Sequence, residues 1–166
     1  FGFMMGYITD VALVGFIFAI FLGAFISFFI SYCDIKLRMD QIAVGFVLTI
    51  LFTHLSNYLG QDYVRISGPM ITKMQIPLLS KIPFFGEVLF NHSLITYFSI
   101  LLIPFSWFFL NKTTFGLSIR ASGENPTAAS SRGIDVKKMR LYGTLIGGGL
   151  LGLAGATFSL YTKYGW

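Results

Sequence analysis

Residues 123–140, with the sequence GENPTAASSRGIDVKKMR, hold the densest group of side chains that could act on another molecule. Asn125 followed by Pro126 predicts a helix start, because Asn caps free N–H groups and proline in the first turn has no N–H to leave unpaired. Gly133 can end that helix in a left-handed conformation, and Asp135 can cap the helix that follows. The spacing therefore predicts a short helix that is capped at both ends.

Two small side chains, Ala128 and Ala129, give this predicted helix a flat face. A rigid helix of this kind can sit in a groove of a partner protein and pass rigid-body motion to the segments that flank it. The alternative is a stiff basic loop that only fixes the orientation of the chain.

A second polar group lies at Asp40 and Gln41, at the start of an apolar run. Asp40 could simply mark a helix start, where a carboxylate favours the positive end of the helix dipole. Alternatively, the pair could face a solute path at a broken helix, as in many transporters. Ser56 and Asn57, near the other end of the same run, could line such a path too.

The sequence indicates no catalytic, metal or nucleotide site. His54 and His92 are too far apart in sequence to give a metal-ligand spacing. Gly147, Gly149 and Gly152 match a dinucleotide fingerprint, but they follow no strand and lie in an apolar run. No phosphate-loop lysine motif occurs, so this chain is not predicted to be an enzyme.

Four apolar runs without charged residues must position these groups. Hydrophobic residues make up 55% of the chain and charged residues 11%, whereas soluble domains carry about 25% charged residues. A membrane-spanning helix needs about 20 apolar residues. We therefore predict an all-α integral membrane protein, a multi-span helical bundle with spans at about 11–32, 42–59, 94–110 and 141–160.

Basic residues predict the orientation of these spans. Six of them lie in residues 111–140: Lys112, Arg120, Arg132, Lys137, Lys138 and Arg140. The positive-inside rule places this loop in the cytoplasm, and alternation then makes 33–41 a cytoplasmic turn and 60–93 an outer loop. Within the outer loop, the proline-interrupted segment 76–90 is predicted to lie at the membrane interface. The net charge of +5 reflects this arrangement and not nucleic-acid binding.

Small residues recur along two of the runs at a spacing that favours close helix packing in lipid. The first stripe consists of Gly15, Ala19, Gly23, Ser27 and Ser31, and the second of Gly148, Gly152, Gly155 and Ser159. We predict that these two helices lie inside a bundle. Because the chain starts at Phe1 and not at Met, we also expect it to be a piece of a longer protein.

Several motifs together resemble the permeases of ABC-type importers in the branched-chain amino acid, sugar and nucleoside family. The cytoplasmic ones are Thr114-Phe115-Gly116, Gly123-Glu124-Asn125-Pro126, Ala128-Ala129 and Gly133-Ile134-Asp135-Val136. Residues 37–42 with Gly45, and 76–79 with Ile82 and Pro83, resemble the nucleoside and simple-sugar branch. One departure is Thr49, where that branch often has an Asn, since a hydroxyl offers fewer hydrogen bonds than an amide.

The resemblance implies that residues 1–166 form part of a single permease domain in the cytoplasmic membrane of a prokaryote. It implies ATPase coupling by Gly123, Glu124, Asn125, Pro126, Ala128, Ala129 and Gly133, and a solute path near Asp40, Gln41, Thr49 and Asn57. The implied partners are membrane lipid, a second permease subunit, an extracytoplasmic solute-binding protein and cytoplasmic ATP-binding subunits. Those last subunits would hold ATP and Mg, so this chain needs no cofactor of its own.

The residues inside the apolar runs distinguish an ABC-type permease from other classes of membrane protein. The branched-chain amino acid branch of the same family stays open. A secondary transporter usually keeps ionisable residues within its spans, and an intramembrane enzyme needs paired carboxylates or a metal group there. The four runs contain no Asp, Glu, Lys or Arg, which favours the ABC-type permease.

Overall fold

A computed structural model describes residues 1–63 and 94–162, and the regular structure throughout these ranges is helical. The helices are α1 (Gly2–Thr9), α2 (Ala12–Leu37), α3 (Gln41–Gly60), α4 (Leu94–Lys112), α5 (Thr114–Glu124), α6 (Pro126–Ser131) and α7 (Val136–Thr157). A short 3-10 turn, Gln61–Tyr63, follows α3, and a π-helical turn, Phe158–Thr162, continues α7. The helices α2, α3, α4 and α7, with these turns, are long and apolar enough to cross a membrane. The predicted all-helical, multi-span class is confirmed.

The chain divides into two compact units. One contains the described residues 1–63 and 118–162, and the other contains the described residues 94–117. The predicted outer loop at 60–93, including the interfacial segment 76–90, lies outside the described residues from position 64 onward.

The predicted cytoplasmic turn at 33–41 is wrong in its extent. Helix α2 continues to Leu37, so only residues 38–40 connect it to α3. Arg38 ends the helix with a φ of 52°, and the N–H of Met39 donates to the Cys33 carbonyl at 3.2 Å. The charged residues show where the apolar run ends. The helix continues beyond that point because its backbone N–H and carbonyl groups still pair within the helix.

Helix α1 has no counterpart among the predicted spans, because its apolar run is too short to cross a membrane. It packs against the start of α2, with Phe3 only 1% exposed. A Cβ atom on Gly15 would lie 2.5 Å from the Gly2 carbonyl oxygen and 3.2 Å from the Gly6 Cα. The absence of a side chain at Gly15 therefore lets the two backbones approach.

Helices α2 and α7 cross with their backbones in direct contact, and this is the most extensive packing between described helices. A Cβ atom on Gly23 would meet the Gly148 carbonyl and lie 3.0 Å from the Gly152 Cα. One on Gly152 would lie 2.9 Å from the Ala19 carbonyl carbon. Gly23, Gly148 and Gly152 therefore lie where the two backbones approach each other.

Gly155 takes no part in this crossing, although the sequence places it on the same stripe as Gly148 and Gly152. No atom lies within 4 Å of where its Cβ would be, and Gly155 instead lines an open, mainly apolar groove beside the helix crossing. The buried residue is Ala156, which is 3% exposed. It continues the four-residue spacing of Gly148 and Gly152 along one side of α7.

The second unit contains a sharp corner between α4 and α5. The Thr113 hydroxyl donates to the Phe109 carbonyl at 2.6 Å and accepts from the Gly116 N–H at 3.0 Å. A Cβ on Gly116 would meet the Phe109 carbonyl and lie 2.7 Å from the Leu110 Cα. Glycine is therefore needed at position 116 for α5 to turn back onto the end of α4.

Candidate functional site

The short helix α6 begins as the sequence predicts. The Asn125 side-chain oxygen accepts a hydrogen bond from the Ala128 N–H at 3.0 Å, and Pro126 occupies the first turn. These two features satisfy or remove N–H groups that would otherwise lack partners at the helix start. Both local predictions are confirmed.

The end of α6 is fixed to the start of α7 by backbone hydrogen bonds. The N–H groups of Arg132 and Ile134 both donate to the Ala129 carbonyl, each at 3.1 Å. Gly133 lies between them with a φ of 80°, in the left-handed region predicted for it. The chain therefore passes from α6 to α7 through a corner that its own backbone holds.

Asp135 caps α7, as predicted. Its carboxylate accepts from the Lys138 N–H at 3.2 Å and forms an ion pair with the Lys138 ammonium at 3.3 Å. The backbone hydrogen bond from Lys138 is the main reason why the pKa of Asp135 lies below its ordinary value. The cap therefore stabilises the ionised form of the Asp135 carboxylate.

The predicted flat face of α6 is corrected, because Ala128 and Ala129 do not share one side of the helix. Ala129 is 4% exposed, while Thr127, Ala128 and Ser131 are exposed. Consecutive residues are turned by about 100° around a helix, and the side that holds Ala129 faces the rest of the unit. Any partner that docks on α6 must therefore contact Ala128 and its exposed neighbours.

Gly123 and Glu124 are the last residues of helix α5, where only a loop was predicted. Glu124 pairs with Arg120 at 3.2 Å, but both side chains are largely exposed, so the pair contributes little to stability. Ser122 is 1% exposed, and a Cβ on Gly143 of α7 would lie 3.4 Å from Ile119. The end of α5 thus packs beside α7, and the spacing of Ile119 and Ser122 is the signal that could have revealed it.

Asp40 acts as the cap of α3. Its carboxylate accepts from the Ile42 N–H at 2.8 Å. This geometry favours the helix-start interpretation of Asp40 over direct contact with a solute. Gln41, the next residue, is exposed at the first position of the helix.

A stripe of polar residues continues from Gln41 along α3, which we call the α3 polar stripe: Gln41, Gly45, Thr49, Thr53 and Asn57. The side chains of Gln41, Thr49, Thr53 and Asn57 are exposed in the described part of the chain, and Gly45 is half-buried. Steps of four residues advance by about 40° around a helix, so neighbouring members share a side, while Gln41 and Asn57 lie about 160° apart. The stripe includes Gln41, Thr49 and Asn57, which were predicted to line the solute path. It also includes Thr53, which was not predicted although it fits the same four-residue repeat.

The neighbouring side of α3 is apolar and faces α2. Leu48 and Phe52 line a cavity of about 260 Å³ together with Phe25, Ile26 and Phe29 of α2. Helix α3 therefore turns one side toward a protein neighbour and leaves the polar stripe uncovered by the described residues. Within those residues, no group of three or more His, Cys, Asp or Glu side chains could hold a metal ion.

Comparison with known families identifies the class of protein that contains helix α6 and the α3 polar stripe. All of residues 1–166 match the family model described as "Branched-chain amino acid transport system / permease component". The chain belongs to this family. It is thus a permease component and a multi-span protein of the cytoplasmic membrane, which confirms the predicted class and membrane location.

Three curated relatives give more detail. The permease component is 32% identical to a Haloferax volcanii protein named "Putative glucose ABC transporter permease protein", over 99% of this chain and 51% of the relative. It is 34% identical to a nucleoside ABC transporter permease of Lactococcus lactis, over 86% and 47%. It is 35% identical to a guanosine ABC transporter permease of Bacillus subtilis, over 82% and 45%.

This permease component spans about half the length of the curated relatives it matches. No solved structure matches it.

The predicted orientation of the permease component can be tested at two exposed positions. Cys33 is the one cysteine of the 166-residue sequence, and Cys33→Ala removes its thiol. In that background we expect Gln61→Cys to react with a membrane-impermeant maleimide on intact cells. Ser131→Cys, at the last residue of α6, should react only after the membrane is opened, because the basic residues around it favour the cytoplasm. Labelling of Ser131→Cys on intact cells would reverse the assignment.

Proposed function

We propose that this chain forms part of the permease of an ATP-driven importer that carries a sugar or a nucleoside across the cytoplasmic membrane. The observation that carries the proposal is the capped helix α6, joined by its backbone to the membrane helix α7. Membership of the permease family supports the transport role, and the printed names of three relatives support the class of solute.

In this proposal, α6 is the contact with a cytoplasmic ATP-binding subunit. The exposed side of Thr127, Ala128 and Ser131 faces that subunit, and Ala129 anchors the helix from behind. A force on α6 passes through the hydrogen-bonded corner at Gly133 into α7. Because α7 crosses α2 in direct backbone contact, α2 moves with it. ATP and Mg are bound by the partner subunits.

The solute path lies along the α3 polar stripe. The stripe places the amides of Gln41 and Asn57 near the two ends of α3 and the hydroxyls of Thr49 and Thr53 near its centre. A water-filled path solvates the same groups. The complete importer contains a second permease subunit that closes the path from the other side, and an extracytoplasmic protein that delivers the solute.

A branched-chain amino acid is the second candidate solute, and the description of the matching family favours it. The two candidates differ in chemistry. A sugar or nucleoside offers many hydroxyl groups to the α3 polar stripe, whereas a branched-chain amino acid offers two opposite charges and an apolar side chain. Competition by leucine against guanosine and glucose uptake separates them.

The docking role of α6 predicts a large effect at Ala128. A glutamate there would place an unpaired charge in the interface with the ATP-binding subunit, where burial of a charge is costly. We expect Ala128→Glu to lower the amount of ATP-binding subunit that co-purifies with the permease by at least about tenfold, equivalent to about 1.4 kcal/mol. Ala128→Ser keeps the face small and neutral and should behave like the wild type.

Ala129→Asp separates loss of folding from loss of docking. Because Ala129 is buried within the chain, that variant should destabilise the corner itself and lower the yield of folded permease. Ala128→Glu should leave the yield unchanged. Wild-type co-purification and wild-type ATP hydrolysis in Ala128→Glu would remove the docking role from α6.

A further inference from the structure

The end of α7 opposite its corner with α6 is the π-helical turn Phe158–Thr162. Turns of this kind are rare, and they occur often at functional sites. The side of α7 that packs against α2 repeats every four residues at Gly148, Gly152 and Ala156, and each such step advances by about 40° around an α-helix. A π turn contains more residues per turn and so reduces this advance. The turn therefore keeps Leu160 on the side of α7 that faces α1 and α2.

Leu160 is inserted between two glycines of different helices, Gly6 of α1 and Gly15 of α2, which we call the glycine notch. A Cβ atom on Gly15 would lie 3.1 Å from Leu160 Cδ1, and one on Gly6 would lie 3.2 Å from Leu160 Cδ2. Leu160 is 1% exposed. Its two methyl groups therefore occupy the space that side chains at both glycine positions would need.

The end of α7 is held less firmly than the helix crossing behind it. Up to Ala156, α7 is in backbone contact with α2 through Gly148 and Gly152. Among the described side chains of residues 157–160, Leu160 is the one that is buried, and Phe158 is 59% exposed. A segment with few buried contacts opens at a lower free-energy cost than a packed crossing. The turn can therefore move while the crossing stays intact.

Helix α1 connects the glycine notch to the end of α3. The Tyr7 ring, next to Gly6, packs edge-to-face on Tyr63 in the turn that follows α3, with ring centroids 5.7 Å apart. Withdrawal of Leu160 would therefore loosen α1 at the point where α1 meets the end of the helix with the α3 polar stripe. In the predicted orientation this is the outer side of the membrane.

We propose that Leu160 is a detachable latch and that the π turn is its hinge. When the ATP-binding subunits move α6 and α7, Leu160 leaves the glycine notch and the end of α7 swings away from α1 and α2. The permease opens there, on the side of the membrane opposite the ATP-binding subunits, and closes when Leu160 returns. This inference rests on the proposed transport function and adds the place of the opening.

A reversible cross-link tests the latch. In the Cys33→Ala background, Gly6→Cys with Leu160→Cys places two thiols in the notch, and the second change removes the methyl groups that a side chain at position 6 would meet. Oxidation should abolish ATP-driven uptake of radiolabelled guanosine or glucose by the complete importer, because the bond holds the latch shut. Reduction should restore uptake. Loss of free thiols measures how much of the protein is cross-linked.

Gly2→Cys with Ala156→Cys is the matched control. A Cβ atom on Gly2 would lie 3.1 Å from the Ala156 Cβ, and disulfides have Cβ separations of about 3.5–4.5 Å, so a small shift accommodates the bond. This pair also joins α1 to α7, but it does so before the π turn begins. Its oxidation should leave uptake unchanged, because the hinge remains free.

Labelling of Leu160→Cys alone gives a second measurement that needs no cross-link. Without ATP, the notch should protect this thiol from a membrane-impermeant maleimide. A minor conformer is populated at about 10% or less. ATP turnover that makes the open state dominant should therefore raise the labelling rate at least about tenfold. Ala156→Cys should stay protected with and without ATP.

Three outcomes overturn the inference. Full uptake by the oxidised Gly6→Cys and Leu160→Cys pair means that Leu160 never leaves the notch. Loss of uptake in both oxidised pairs means that the π turn is not the hinge. Equal labelling of Leu160→Cys with and without ATP excludes the latch, and this result decides alone if the cysteine pair does not fold or cross-link. Absence of uptake by the wild type rejects the proposed transport function, whereas normal wild-type uptake confines the failure to the latch.

Discussion

Replacing Gly152 with leucine should prevent the permease from reaching its folded state. Even the first carbon of a side chain at this position would meet the Ala19 carbonyl oxygen and lie 3.4 Å from the Gly23 Cα. These atoms belong to the backbone of α2, so the only relief is separation of the two helices. Overpacking of a well-packed core already costs about 1–3 kcal/mol, and loss of the α2–α7 contact adds to that. We expect little monodisperse protein after detergent extraction.

Gly155→Leu provides the matched control for Gly152→Leu. It makes the same substitution less than one turn away on the same helix, where no atom lies within 4 Å of the new Cβ. We expect its yield and melting temperature to match those of the wild type. Equal melting temperatures for the two leucine variants would show that α2 and α7 do not cross at Gly152.

The membrane helices could be predicted from the sequence because their signal is strong and local. A charge in the centre of a span is so costly that uncharged runs identify the spans directly. Boundaries were less accurate, as at residues 33–37, because a helix continues into the interface beyond its last apolar residue. Helix α1 was missed since an apolar helix of this length is stabilised by its contacts with α2 and with the end of α7.

At the corner between α6 and α7, local features were also predicted and tertiary contacts were not. Asn125, Pro126 and Asp135 were recognised because a cap is formed by residues within three or four positions of one another. The burial of Ala129 depends on which side of α6 meets the rest of the unit. Similarly, the choice of Ala156 over Gly155 depends on the direction in which α2 crosses α7. Neither orientation is contained in the spacing of small residues alone.

The second large effect is expected at Gly133, where the backbone has a φ of 80° and no atom lies within 4 Å of a new Cβ. Space is therefore available, and only the backbone conformation opposes a side chain. A β-branched residue is strongly disfavoured in the left-handed region, while Asn is among the residues that tolerate it. Gly133→Val should straighten the corner between α6 and α7 and abolish coupling, and Gly133→Asn should retain most of it.

The most direct test of the account is ATP-driven uptake of guanosine or glucose by the permease reconstituted in vesicles with its ATP-binding subunits and solute-binding protein. ATP on the side of the ATP-binding subunits should drive accumulation of the solute and solute-stimulated hydrolysis. ADP should support neither, and Gly133→Val should lose both while still inserting in the membrane. Accumulation driven by a proton or sodium gradient in the absence of ATP, with Gly133→Val fully active, would contradict the account.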